Sequence, residues 1–368
     1  MSVSLKVGNL WRVIRDIDIE AIRRSARGRF ELLIVSDDET DARRLHALVS
    51  PGGDVTPHPW VVVADVARVM SRETRPAAAI LLSKTHELSV ALAGARQTLH
   101  LDHIPIATIV VGDSTPLVPR GGERARVAVG AIDAGSLGAI GNAVVDTFPP
   151  DLRLALAVQL PAFQPAVFDV LIDETARANA SFALTMGLAE VVPVLTAPLN
   201  LGDMVILTKN QLIMCYRLAL AAGRDGHPRR MVAEILGVLG GGLLFRQAAR
   251  QLVGLIPVVG LVPKVALAYG GTWAIGRGMV MWATEGREMT TESLRRFTRE
   301  GLARGKQVAE GMLARSRSAQ AGHEGDSARP GAGPDVHPVV GAHGRWERLK
   351  GYLPALGRRE RRSRHGLS

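Results

Sequence analysis

The sequence is poor in several things at once. Its 368 residues hold one cysteine, Cys215, and only 7 Phe, 5 Trp and 3 Tyr. A single thiol builds no disulfide framework and excludes a cysteine-ligated zinc or iron–sulfur centre. Few rings beside 10 Met point to helices packed through aliphatic and small side chains. Met1–Leu10 shows no cationic stretch followed by an apolar one, so no cleaved export signal is read there and a cytoplasmic origin is expected. Long uncharged runs are missing too. Val191–Gly202, Leu252–Pro263 and Val265–Gly276 stop at Glu190, Asp203, Lys264 and Arg277. Each falls short of the ~18 residues that a spanning helix takes.

Phosphate machinery is also absent. After the apolar run Phe30–Val35 come Ser36, Asp37, Asp38, Glu39 and Thr40, with neither glycine nor lysine. A P-loop needs backbone amides wrapped round the phosphates and a lysine to neutralise them. Three carboxylates in that place repel a triphosphate. Gly305-Lys306-Gln307 lacks both the spacing and the hydroxyl. Conventional GTP or ATP hydrolysis is therefore not expected. The turn superficially resembles that of a phosphoacceptor receiver domain, whose first strand ends in an acidic pair that holds a metal ion. That chemistry also takes an Asp after the third strand and a Lys near the fifth. Here Ser83-Lys84-Thr85 and Ala131-Ile132-Asp133 stand in those places. With one element of four present, Asp37 or Asp38 is read as a helix cap, and cation binding at Asp37–Glu39 stays open.

Other motifs fare no better. Ala134-Gly135-Ser136-Leu137-Gly138 is a loose nucleophile elbow with Ala134 where the pattern has glycine. Its only available histidine is His227, so Ser136 is read as an N-cap. His100 and His103 lack partner ligands, His86-Glu87 lacks a second His, and His323, His337 and His343 are dispersed. No catalytic, cofactor or metal-ligating residue is assigned.

What the chain does have is an uneven distribution of charge and grease. Lys and Arg number 45 against 35 Asp and Glu, and residues 286–368 carry 17 of the first and 9 of the second. Nearly all the +10 balance is C-terminal. Such a tail attracts phosphate, whether of nucleic acid or of anionic headgroups. Trp346, Leu349, Tyr352 and Leu353 beside Arg358, Arg359, Arg361 and Arg362 favour a membrane surface. Nucleic acid is disfavoured, because no helix-turn-helix, zinc finger or RNP-type motif accompanies the charge.

Periodicity divides the rest. An amphipathic helix is expected within 1–28, over 9–27, with Leu10, Trp11, Ile14, Ile17 and Ile22 on one stripe and Asp16 or Asp18 as a cap. Over 29–147, near-continuous apolar runs at Phe30–Val35, Trp60–Ala64, Ala77–Leu82, Ile106–Val111 and Arg126–Ile132 alternate with helix candidates at 38–49, 64–71, 86–99 and 135–147. That alternation implies a doubly wound parallel sheet of about five strands, covered on both faces. Pro149-Pro150 ends it, connecting helices occupy 148–180, and an apolar helical domain fills 181–285. An amphipathic helix over 286–315, a disordered linker over 316–344 and the basic tail 345–368 follow. The stretch 209–230 is basic, and basic loops stay cytoplasmic. With every flank on one side, shallow hairpins or a peripheral bundle are expected rather than single crossings. Ala266, Gly270, Ala274 and Gly278 recur every fourth residue, and Gly237 with Gly241 makes GxxxG; both let helix backbones approach closely.

Within 193–286 the pattern Pro193, Asp203, Thr208, Gln211 and Met214, then Arg246, Pro257 and Gly260, then Gly271, Thr272 and Gly276, resembles a YcjF-like, GTPase-associated domain of unknown function. The resemblance covers about a quarter of the chain. It implies a hydrophobic helical module associated with membranes and often joined to a GTPase domain, whose place here is 29–147 with the P-loop lost. It transfers no catalytic residue. Inward-facing Gln211 is expected to bond backbone opened by Pro198 or Gly202. The sequence thus points to a non-catalytic, membrane-associated scaffold or regulatory protein with a pseudo-GTPase domain. It would lie on the cytoplasmic side of the cell membrane with a GTPase or a second copy as partner. The alternative is an unorthodox nucleotide-binding switch working with a GTPase.

Overall fold

The computed structural model describes residues 17–51, 60–71, 75–190, 201–224, 230–231, 234–235, 261–287 and 289–326. Residues up to Ser318 form one compact unit, and Ala319–Ser368 form the other, of which the end of one helix is described.

The first unit is built on a five-stranded, all-parallel sheet in the order β2-β1-β3-β4-β5. In chain order the elements are α1 (Ile19–Ala26), β1 (Leu32–Ser36), α2 (Glu39–Val49), β2 (Val61–Ala64), α3 (Val66–Met70), β3 (Ala78–Ser83) and α4 (Val90–Leu101). Then come β4 (Ile106–Val111), β5 (Glu123–Val129), α5 (Leu137–Thr147), α6 (Arg153–Gln159) and a 3-10 turn at Pro161–Phe163. Among the described residues the longer helices α7 (Gln164–Glu190), α8 (Leu201–Ala221), α9 (Leu261–Glu285) and α10 (Thr291–Asp326) follow. An α/β layer followed by a helical layer is the architecture that the periodicity implies.

The strands form where apolar residues run without a break, because both faces are covered. Leu32, Ile34, Ile80, Leu82 and Ile109 face the side of α2, α5 and the helical layer; Leu33, Val35, Ala79, Leu81 and Ile106 face α3 and α4. The helices start on side-chain caps: Asp18 accepts from Ala21 N at 2.8 Å, Asp65 from Arg68 N at 2.8 Å and Ser89 from Leu92 N at 3.1 Å. Of the N-terminal stripe, Ile22 is buried and Ile17 packs on the core, whereas Leu10, Trp11, Ile14 and Asp16 lie outside the described residues.

One connection departs from the doubly wound plan. Residues 112–122 join β4 to β5 without a helix, so a polar network covers that part of the sheet. Thr108 Oγ1 donates to Glu123 Oε1 at 2.8 Å, and Arg126 pairs with Glu123 at 3.2 Å with both side chains inaccessible, 1% and 0% exposed. Arg126 also donates to the His86 carbonyl. This is why β5 starts at Glu123 and ends at Val129 rather than running over Arg126–Ile132: its first half is held by charge pairing, which an apolar pattern does not reveal.

The core runs unbroken from the sheet into the helical layer, through Phe148, Leu156, Phe163, Phe168 and Ile172 to Tyr269, Trp273 and Phe297. Residues 148–180 are thus part of a shared core. Cys215, fully buried on α8, has its thiol pushed up to about 12 by burial. It is expected to resist iodoacetamide in the native protein at mildly alkaline pH and to react fully once unfolded. Rapid native labelling would contradict its placement.

The small-residue ladder has a partner inside the chain. A Cβ at Gly270 of α9 would lie 2.8 Å from the Gly301 carbonyl carbon of α10, and a Cβ at Gly301 would lie 2.6 Å from the Gly270 oxygen. Gly305 meets the Ala266 backbone in the same way. Gly276 seats Ile172 of α7, Gly278 seats Met289, and Ala274 is buried. Gly237 and Gly241 lie outside the described residues.

Two boundaries differ from expectation. Residues 209–221 of the basic stretch are the second half of α8, not a loop, and residues 225–229 lie outside the described residues. The expected linker starts in helix, since α10 continues to Asp326, and its remainder lies outside the described residues with the tail. Among the described residues no helix is long and apolar enough to cross a membrane.

Candidate functional site

In an open α/β sheet, ligands sit outside the carboxyl ends of the strands where the strand order reverses. Here that point lies between β1 and β3, and a cleft of about 340 Å³ occupies it. Its walls are the β1–α2 turn (Ser36, Asp37, Asp38, with Asp41 on α2) and the β3–α4 loop (Ser83 to Ser89). Asp38 caps α2, accepting from Thr40 N at 2.8 Å and Asp41 N at 3.2 Å. Ser36 Oγ accepts from Asp38 N and donates to the Leu82 carbonyl, which ties the turn to β3.

Across the cleft stands Lys84, whose ammonium pairs with Asp38 and lies 4.0 Å from Asp41. The Asp41 side chain, 8% exposed, has Arg44 at 3.7 Å on its other side. Hydrogen bonding from Lys84, then from the Asp41 amide, holds the Asp38 carboxyl at about 2, and Asp38 in turn raises Lys84. A depressed acid contributes stability that is complete above its usual value of 3.8 and is lost as pH falls through about 2. Lys84→Met is therefore expected to flatten the fall of Tm between those pH values. An unchanged acid limb would show that the pair contributes nothing.

The loop bearing Lys84 is strapped at successive residues. Thr85 Oγ1 donates to the Glu87 carbonyl at 2.5 Å, His86 Nε2 meets Asp113 Oδ2 at 2.6 Å, and Arg120 pairs with Glu87 at 2.6 Å. Asp113, bonded first by Thr115 and then by His86, sits at about 2; the Arg120 guanidinium lowers Glu87. The cleft therefore has fixed walls, carboxylate lining and one internal cation. Its hydroxyls are bonded to backbone, Ser36 to the Leu82 carbonyl, Ser83 to the Thr85 carbonyl and Thr85 to the Glu87 carbonyl.

The other motifs resolve simply. Ser136 stands at the N-cap of α5 but does not cap it; its hydroxyl bonds back to Asp133 N at 3.1 Å and Asp133 O at 3.0 Å. The His100 ring fills the space over Gly122, whose φ of +87° only glycine adopts freely. His227 lies outside the described residues, and among the described residues no group of His, Cys, Asp and Glu could hold a metal ion.

A second polar constellation joins three helices of the helical layer. Asn179 of α7 donates to Thr272 Oγ1 of α9 at 2.9 Å and accepts from Asn210 of α8 at 2.9 Å. Gln211 donates to Thr272 Oγ1 at 3.2 Å, and Thr272 donates to the Ala268 carbonyl at 2.8 Å. Gln211 thus bonds a side chain on α9 rather than backbone near Pro198 or Gly202. Asn179 and Thr272 are fully buried, and a satisfied network of this kind fixes which turns of the helices face each other. Tyr269 donates to Asp173 at 2.6 Å and Arg277 pairs with Asp169 at 2.7 Å along the same α7–α9 seam. Burial, and then the Asp173 hydrogen bond, raises the Tyr269 hydroxyl.

Of the residues in the YcjF-like pattern, the structure brings together Gln211 and Thr272. It buries Met214 in the core, opens Gly271 to free space and closes Gly276 on Ile172. Asp203 and Thr208 both lie in α8. Pro193, Arg246, Pro257 and Gly260 lie outside the described residues, as do Trp346, Arg358, Arg359, Arg361 and Arg362. Asn179, Asn210, Glu123 and Arg126 were not legible as site residues, since isolated polar residues in helices and edge strands read as solvated. No family model, curated protein or solved structure matches the chain.

Proposed function

We propose that the chain is a non-catalytic, membrane-associated scaffold or regulatory protein. In this reading the α/β layer is a pseudo-GTPase-like platform, and the helical layer with the basic tail serves the cytoplasmic face of the cell membrane. The observation that carries the non-catalytic part is Lys84 lying across the cleft onto Asp38, beside Asp37 and Asp41. The place where a doubly wound layer would take a phosphate is lined with carboxylates and already holds its own cation. The shared core supports a scaffold, since it joins the two layers without an apolar boundary at which they would separate.

The membrane part is supported by the charge of residues 286–368 and by the resemblance of 193–286 to YcjF-like modules. A GTPase or a second copy of the chain is the partner class that this resemblance suggests. Equilibrium titration with labelled GTP, GDP and ATP tests the platform. Absence of saturable binding up to millimolar nucleotide is the expected result. Saturable binding at micromolar nucleotide would replace this reading by a nucleotide switch.

A further inference from the structure

Part of the basic excess of 286–368 lies on the helical layer itself, outside the 345–368 tail. Trp273 of α9 and Phe297 of α10 meet edge to face, with ring centroids 6.4 Å apart and planes at 79°. Three guanidiniums lie against these rings. Arg304 is 4.8 Å and Arg277 5.5 Å from the Trp273 centroid, and Arg296 is 4.9 Å from that of Phe297. Arg277 is committed to Asp169 at 2.7 Å. Arg296 and Arg304 are exposed, and among the described residues neither forms an ion pair, not even with Glu300 one turn from each.

An arginine lying on a ring has lost part of its rotamer freedom before any ligand arrives, yet its N–H edges still point outward. That lowers the ordering cost of binding an anion. The two side chains stand about 12 Å apart along α10 by helix rise, too far to share one small anion but suited to neighbouring groups on an extended surface. Their helix is net basic as well: Thr291–Arg315 exposes Arg295, Arg296, Arg299, Arg304, Lys306 and Arg315 against Glu292, Glu300 and Glu310.

We infer that the Arg296–Arg304 flank of α10, backed by Trp273 and Phe297, is a docking surface for the phosphate headgroups of an anionic membrane. The inference rests on the membrane reading above and names a surface for it. The test uses full-length protein and a chain lacking 345–368, each with and without Arg296→Gln/Arg304→Gln, sedimented with vesicles of phosphatidylcholine alone or mixed with phosphatidylserine. Binding only to the mixed vesicles is expected. The double substitution should weaken it about thirty-fold at low salt, from about 1 kcal/mol per cation near the surface, in both backgrounds. Arg296→Lys/Arg304→Lys should keep most of the binding, because the charge remains. Equal binding of the Gln and unsubstituted chains overturns this surface while leaving the membrane reading intact. If the unsubstituted full-length chain ignores the mixed vesicles, both fall together.

Discussion

Arg126→Met is expected to cost about 3–5 kcal/mol of stability, the usual effect of removing one partner from a buried pair. The Glu123 carboxylate, 0% exposed, would keep Thr108 Oγ1, the Arg120 amide and Arg96 at 3.8 Å but lose the buried guanidinium that lies nearest to it. The β3–α4 loop would lose its tie at the His86 carbonyl as well, and that loop carries Lys84. The double replacement Glu123→Leu/Arg126→Met removes both charges together and should recover part of the loss, the remainder being the buried Thr108 hydroxyl and the Arg120 amide left without their acceptor. Urea unfolding of the three proteins measures this directly. A single variant within 1 kcal/mol of the parent, or a double variant no better than the single, would contradict the account of this network.

Gly270→Val is the second large effect. Its Cβ would stand 2.8 Å from the Gly301 carbonyl carbon and from Leu302 N, which are backbone atoms that cannot rotate away. Relief requires α9 and α10 to separate, which uncovers Trp273. A loss of about 3 kcal/mol, the upper range for overpacking, is expected. The neighbouring Gly271 gives the opposite sign: nothing lies within 4 Å of its Cβ position. Gly271→Ala should stabilise by about 0.5–1 kcal/mol, because alanine is the better helix former. Thermal melts of both variants decide it, and equal behaviour would show that the helix crossing is looser than these distances state.

The same seam shows how far the sequence could be read. Ala266 and Gly270 of the four-residue repeat lie where α10 crosses α9 closely, but the spacing could not say which helix approaches. The answer lies in Gly301 and Gly305, on a helix whose charged residues make it read as merely amphipathic. Strands β1 to β4 were legible to within about two residues because unbroken apolar runs are how parallel strands appear. β5 was displaced by three residues because Glu123, Arg124 and Arg126 enter it as charges.

The acidic turn after β1 was legible as a cap and as the wrong chemistry for phosphate. Lys84 was visible only as a mismatch with receiver domains. Its pairing with Asp38 spans 46 positions in sequence and needed the parallel register of β1 on β3 to appear. Thr272 and Gln211 were singled out through a resemblance, whereas Asn179 and Asn210, which complete their network, carry no local signal.

The function proposed for this chain is association with the membrane through the helical layer and tail. Its most direct measurement is fractionation of cells expressing the full-length chain beside a chain lacking 345–368, with membranes washed in high salt. The deletion is placed there because α10 packs on α9 and its removal would strip the core. Full-length protein is expected in the membrane pellet at physiological salt, with less of the chain lacking the tail there, and the high-salt wash should remove most of that difference because it screens the tail's charge. Recovery of both chains wholly in the soluble fraction would contradict it.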